Sequence, residues 1–301
     1  MFAPDTQQRG GDRLLAAVEE ALHSSTTDSP THPRVVSPGV VELALPTGEA
    51  RAVRVALADA GFVPLAAPAR DGALRVLGYL RDRGEWGEIR IKLADGRRPR
   101  VSALIDRIPR PLRRRGLGVA LLGPDGAGKS TLVETVTADF PTPVRSIYMG
   151  LYQGEEEGGA RARFRLPGVG LATNLLRQQG RWWLGAYHRA RGRLVLFDRY
   201  TYDALLPVDG PLSSPVRVRR WLLAHACPRP DLVVVLDAPA AVLFARKGEH
   251  DPELLESHRA SFRALQAALP GSVLLDTSLP AEASARNLVG TIWMLYARRW
   301  R

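Results

Sequence analysis

The chain contains one cysteine, Cys227, in 301 residues. That excludes an internal disulfide framework and a cysteine metal cluster, since each needs at least two thiols. Lysine is nearly as scarce. Only Lys92, Lys129 and Lys247 occur, so the net charge of +11 rests almost entirely on arginine. No uninterrupted apolar run reaches the ~18 residues that a membrane-spanning helix requires. The opening stretch MFAPDTQQRGGDR has no apolar core of the kind a secretory signal carries. The expectation is therefore a cytoplasmic protein with no transmembrane segment.

Hydrophobic residues make up 45% of the chain, which supports a packed core and fits one large domain or two modest ones. The arginine excess has two readings. It can reflect solvated faces, or it can attract polyanions such as nucleotides, nucleic acid, anionic glycans or a membrane surface. Charge alone does not choose between them.

Along the chain the pattern changes twice. Residues 1–106 read as a small N-terminal α+β module. Its elements are a short helical pattern at Leu14, Leu15, Val18 and Leu22, a turn-rich SSTTDSPTHP, the strand VVELAL and the helix ARAVRVALADAGF. RVLGYL and GEIRIKLAD then bracket DRGEW as a hairpin. No residue cluster in this module suggests chemistry. Residues 107–116, RIPRPLRRRG, combine prolines with clustered arginines and read as a linker, either a solvated hinge or an electrostatic arm.

From 117 to 301 the chain alternates β and α. LGVALL, PVRSIYMG, RLVLFD, DLVVVLD and SVLLD are short continuous apolar runs of the kind buried parallel strands produce, with helical stretches between them. The expected fold class is α/β: a three-layer α/β/α domain with a parallel sheet, in which ligands bind beyond the carboxyl ends of the strands.

GPDGAGKS, Gly123–Ser130, fills the pattern G-x-x-x-x-G-K-[ST] and sits between a strand and a helix, the context that gives the motif meaning. This predicts a P-loop NTPase fold. Gly123, Gly126 and Gly128 allow backbone angles that turn successive N–H groups into one concavity. Pro124, Asp125, Ala127, Lys129, Ser130 and Thr131 complete the predicted ATP cradle, to which the following helix adds its positive end. Lys129 is expected on the β- and γ-phosphates and Ser130 on Mg²⁺. The guanine-reading N-K-x-D of GTPases is absent. DLVVVLD ends in Asp237-Ala238-Pro239, with no acid following as in many motor ATPases. A small-molecule kinase fits these features.

The ordered set LLGPDGAGKSTL, LVLFDRYTYDAL, PDLVVVLDAPAAVLFARKGE and VLLDTSLPAE resembles the thymidylate kinase-like branch of the nucleotide kinases over residues 117–298. The resemblance implies roles residue by residue. Asp125 matches a loop carboxylate that faces the phosphate acceptor. Asp198 would order Mg²⁺ and its waters, and Arg199 would grip phosphoryl oxygens. Arg246 and Lys247 fall where the family's lid begins. Because position 126 is glycine and not arginine, the cation that closes over the transferred phosphoryl is expected from that lid.

The family's acceptor-holding R-E-P-G stretch is replaced here by IYMGLYQGEEEGG, and TYDALLPVDG stands where a Q-G-rich segment is usual. The acceptor is therefore not expected to be dTMP. Tyr148, Met149, Tyr152 and the helix 175–193 are expected on its side of the cleft. There Trp182, Trp183 and Tyr187 offer stacking surfaces or serve as core packing. Arg161, Arg163, Arg165, Arg177 and Arg181 offer charge to an anionic acceptor or form a solvated face. His188, His250 and His258 read as surface residues.

The leading expectation is an ATP- and Mg²⁺-dependent kinase acting on a nucleotide, a nucleoside or another small anionic or hydroxylated acceptor. Two alternatives stay open: a nucleotide-binding regulatory or scaffold module that recruits nucleic acid or anionic glycan, and a polynucleotide 5′-kinase. A homodimer is compatible with either class.

Overall fold

The computed structural model describes residues 14–20, 22–23, 33–37, 39–46, 49–64, 73–82, 84–93, 116–151, 169–208, 210–248 and 251–298. The chain forms two compact units, one of residues 1–109 with 289–301 and one of residues 110–288. The predicted linker up to residue 115, most of SSTTDSPTHP, and Tyr152, Arg161, Arg163, Arg165 and His250 lie outside the described residues.

The first unit holds β1 (Arg34–Ser37), β2 (Val40–Leu45), α1 (Ala50–Asp59), β3 (Val63–Pro64), β4 (Leu74–Leu80) and β5 (Glu85–Leu93). Its sheet runs β1-β2-β5-β4-β3. The predicted hairpin is present, with β4 and β5 antiparallel from Leu74↔Ile91 to Leu80↔Glu85. Strand β2 joins β5 in parallel, so this sheet is mixed. Alternation of buried and partly exposed residues along β2 and β5 gives the sheet one apolar face. Val41, Leu43, Leu45, Ile89 and Ile91 on that face pack with Val53 and Leu57 of α1 and with Leu14 and Val18.

The second unit holds β6 (Gly118–Leu122), α2 (Lys129–Asp139), β7 (Val144–Tyr148), α3 (Val169–Ala190), β8 (Leu194–Asp198), a 3₁₀ turn (Thr201–Leu205), α4 (Ser214–Ala224), β9 (Leu232–Asp237), α5 (Ala240–Lys247), α6 (Pro252–Ala268), β10 (Val273–Asp276) and the start of α7 (Ala281–Arg298). Its five strands run β10-β9-β6-β8-β7, and every pairing is parallel. The apolar runs read as strands because both faces are covered: every residue of β6 and of β9 is buried. Ala120, Leu122, Val195, Phe197, Val233 and Val235 share one face with Trp182 of α3 and with Phe262 and Leu265 of α6. Helices flank the sheet, and the fold is that of a P-loop NTPase. No helix among the described residues is long and apolar enough to cross a membrane.

The order places β6 centrally. The chain leaves β6 toward β7 on one side, and after β8 it returns to β9 on the other side. The connections thus reverse direction around β6, and in open parallel sheets ligands bind beyond the carboxyl ends of the strands at such a point. Register brings the other strand ends to the same level, with Leu121↔Asp198, Leu122↔Val235 and Asp237↔Asp276.

Candidate active site

The loop after β6 is built on left-handed glycines. Gly123, Gly126 and Gly128 have φ of 149°, 82° and 87°. At the first two, space is tight as well: a Cβ would lie 3.0 Å from Leu236 O or from Leu243 O respectively. The loop can therefore lie directly on the backbone at the end of β9 and on that of α5. Helix α2 begins at Lys129, so its first N–H groups face the same hollow.

Lys129 is buried, and its Nζ donates to Gly123 O and Pro124 O, each at 2.8 Å. Burial, reinforced by the neighbouring Arg199 charge, pulls its pKa down. The ammonium thus holds the loop in shape from inside. Ser130, one residue on, is exposed on the first turn of α2.

At the end of β8, Asp198 stands level with Leu121 of β6. Its Oδ1 is buried with no hydrogen-bond partner among the described residues. Burial raises its pKa, against the opposing pull of Lys129 and Arg199. A buried carboxylate oxygen without a proton donor is costly unless a cation meets it. With the Ser130 hydroxyl, it supplies hard oxygen donors of the type Mg²⁺ prefers, so the residues present fit that ion. No cluster of three or more His, Cys, Asp and Glu side chains suited to a metal occurs among the described residues.

Arg199 has φ 63° and is the one non-glycine with positive φ among the described residues. A left-handed arginine stores backbone strain, and such residues concentrate at functional sites. Its N–H donates to Leu121 O at 3.0 Å, which fastens it to β6. Its guanidinium lies between two carboxylates, with Nη2 2.6 Å from Asp125 Oδ1 and Nη1 3.5 Å from Asp203 Oδ2. Burial alone would lower its pKa, but Asp203 and Asp125 more than offset this and raise it.

Asp203 is absent from the expected site. It is buried, its Oδ1 has no partner among the described residues, and burial pushes its pKa up to about 6. Its only trace in the sequence is the second acid of D-R-Y-T-Y-D.

Arg246 sits in the last turn of α5 and donates from Nη2 to Thr277 O, just beyond β10, at 2.7 Å. Its Nη1 is 3.9 Å from where a Cβ on Gly128 would stand, so the side chain borders the loop. Lys247 is exposed at the end of the same helix, before Gly248 with φ 65°. The chain returns through α6, whose first turn is capped by Asp251 accepting from Glu253 N. Arg259 of α6 then grips Asp237 with two bonds, Nε to Oδ1 at 2.7 Å and Nη2 to Oδ2 at 3.1 Å. Asp237, at the end of β9, is thereby engaged in an ion pair.

On the opposite side, Met149 is fully buried and Trp182 packs into the core, while Trp183 and Tyr187 are exposed. Tyr148 lies beneath the Arg181 guanidinium, 5.8 Å from its ring centroid. Arg181 Nη1 and Gln178 Nε2 both donate to Gly150 O, at 3.4 and 3.2 Å. Gln178 also went unread in the sequence. It is buried on the inward face of α3, one turn before Trp182, with Oε1 unpartnered among the described residues. His188, expected at the surface, is instead buried at the end of α3, with Arg193 Nη1 2.9 Å from its Nδ1.

No protein-family model and no curated protein matches the chain. Among solved structures, a thymidylate kinase from Candida albicans is similar at 17% identity and a TM-score of 0.41, covering 58% of this chain and 89% of that one.

Proposed function

We propose that the chain is an ATP- and Mg²⁺-dependent kinase that moves the γ-phosphoryl group of ATP to a nucleotide, a nucleoside or another small hydroxylated acceptor. The observation that carries this reading is the convergence of Lys129, Asp198 and Arg199 at the carboxyl ends of β6 and β8, with an unpartnered Asp198 oxygen beside a glycine-built loop.

In this reading the residues from Gly123 to Thr131 hold the phosphates through backbone N–H groups and the end of α2, and Lys129 turns from the loop carbonyls to phosphate oxygens. Ser130 and Asp198 hold Mg²⁺, which when bound supplies charge neutralisation at the transferred group. Arg199 orients phosphoryl oxygens. Arg246 and Lys247 approach from α5 as the charge on the three equatorial oxygens spreads. The protein's contribution is positioning and electrostatic stabilisation, with little covalent chemistry of its own.

The acceptor side supports a polar small molecule: Gln178 and Arg181 meet at Gly150 next to Tyr148. The test is a transfer screen with γ-labelled ATP across nucleosides, nucleoside monophosphates, sugars and oligonucleotides, run beside Lys129→Met. A labelled small molecule formed only by the wild-type chain is the expected result. Label on oligonucleotide ends would reassign the acceptor to a polynucleotide, and no Lys129-dependent product in any class would remove the kinase reading.

A further inference from the structure

Nothing in the scheme above uses Asp203, yet this carboxylate is buried beside the site and faces Arg199. The two carboxylates that share Arg199 are unlike each other. Asp125 lies on the loop, 45% exposed, 2.6 Å from Arg199 Nη2 and 3.8 Å from Lys129 Nζ. It therefore sits between the two cations that a phosphate group would approach. Asp203 is 6% exposed and belongs to a 3₁₀ turn pinned on several sides. Its N–H donates to Tyr200 O at 3.1 Å, and Leu206 N–H donates to its carbonyl at 3.3 Å. Arg220 donates from Nε to Ala204 O at 2.9 Å and from Nη2 to Leu206 O. One partner can move aside; the other is fixed in the fold.

The backbone of Arg199 is equally constrained by its left-handed φ and its bond to Leu121 O. What remains to be set is the direction of a long side chain, and Asp203, four residues along the chain, faces its Nη1 at 3.5 Å. At neutral pH Asp203 is ionised, since its pKa is about 6.

We propose that Asp203 is a positioning residue that keeps the Arg199 guanidinium aimed at the phosphate loop, while Asp125 is a displaceable carboxylate that holds the place of phosphate oxygens. An incoming phosphate exchanges with Asp125 on Arg199 Nη2, and Asp203 stays on Nη1. Asp125 thereby neutralises two clustered cations and competes with an incoming phosphate for them. The proposal rests on the reading of the loop as a phosphate site and does not require that phosphotransfer occur.

Simple electrostatics predicts that removing either carboxylate tightens anion binding, because the site becomes more positive. The proposal predicts opposite signs. The experiment is calorimetric titration of the full chain with tripolyphosphate in EDTA at pH 7.5, using wild type, Asp125→Asn, Asp203→Asn and the same two changes on Arg199→Met. Asp125→Asn is expected to tighten binding by about 10-fold, and Asp203→Asn to weaken it by about 5- to 10-fold through a disoriented guanidinium. On Arg199→Met the weakening by Asp203→Asn disappears, which a general loss of structure would not produce. Melting curves establish that each variant is folded, and Asp203→Glu restores part of the affinity.

If Asp203→Asn tightens binding or leaves it unchanged, or if its weakening survives in full without Arg199, the proposal is overturned. A wild-type chain that binds no tripolyphosphate overturns the phosphate-site reading and this proposal with it. Binding with the predicted signs but no transfer to any acceptor leaves this proposal standing and removes only the kinase assignment.

Discussion

Arg199 Nη2 stands 2.6 Å from Asp125 Oδ1, so the arginine at the end of β8 is tied to a carboxylate of the phosphate loop itself. The two residues are 74 positions apart in the chain. They meet because parallel pairing of β6 with β8 brings the residues that follow both strands to one edge. In the proposed function this pair would join the residues that hold phosphate to those that face the acceptor.

The first concerns pH. The charged groups coupled to Asp203 are Arg199, Lys129 and Asp125, and burial sets its pKa at about 6. Protonation as the pH falls through about 6 removes the charge that orients Arg199. Turnover is therefore expected to fall along that limb in the wild type. In Asp203→Asn it should start lower and lack the limb. Stability moves the other way. The folded pKa is above that of an ordinary aspartate, so the ionised carboxyl costs stability above about pH 6, and that cost is relieved as the pH falls from 6 toward 4. Asp203→Asn should accordingly melt no lower than wild type at pH 8, with the difference shrinking by pH 5.

The second concerns Arg246, which borders the loop while bonded to Thr277 O. If it meets charge that develops during transfer, Arg246→Ala lowers kcat by ~100-fold while ATP affinity changes little, since the loop amides and Lys129 hold the ground-state phosphates. Steady-state kinetics with an independent ATP titration separates the two. A large loss of ATP affinity with kcat preserved would make Arg246 a ground-state nucleotide clamp instead.

The third concerns the ion pair that anchors α6. Arg259 satisfies both oxygens of Asp237 at the end of β9, and both side chains are largely shielded from water. Arg259→Met leaves the carboxylate without its main partner and is expected to destabilise the second unit by about 2–3 kcal/mol in urea unfolding. Adding Asp237→Asn should recover much of that loss. If the single variant unfolds at the wild-type midpoint, the pair contributes nothing to the anchoring of α6.

The sequence made the parallel sheet legible for a physical reason. LVVVL (232–236) and LGVALL (117–122) are apolar without interruption because both faces of the sheet are covered, and all six residues of β9 are buried. Strands β1 and β3 were not read. The first is four mostly exposed residues at an edge, and the second is two residues that include Pro64. The loop after β6 was legible because its left-handed backbone requires glycine at fixed spacing. Asp203 was not, since one acid in a short turn gains meaning only from the left-handed backbone of Arg199 and the burial around it. The Arg259–Asp237 pair spans 22 residues between a helix and a strand end, which no local pattern encodes. Helix α7 reads as one continuous helix, and nothing in its periodicity reveals that its residues from Val289 onward group with the N-terminal unit, where Trp293 Nε1 donates to Gly61 O at 2.8 Å.

The most direct measurement of the central claim is single-turnover transfer from γ-labelled ATP with Mg²⁺, comparing wild type with Lys129→Met alongside an ATP titration and a melting curve for each. The Lys129 ammonium donates to two loop carbonyls and stands 3.8 Å from the Asp125 carboxylate, all within the loop itself. Its replacement should leave the chain folded while transfer falls by ~1000-fold or more. Transfer that persists at the wild-type rate in Lys129→Met, or a folded wild-type chain that neither binds ATP nor labels any acceptor, would contradict the account.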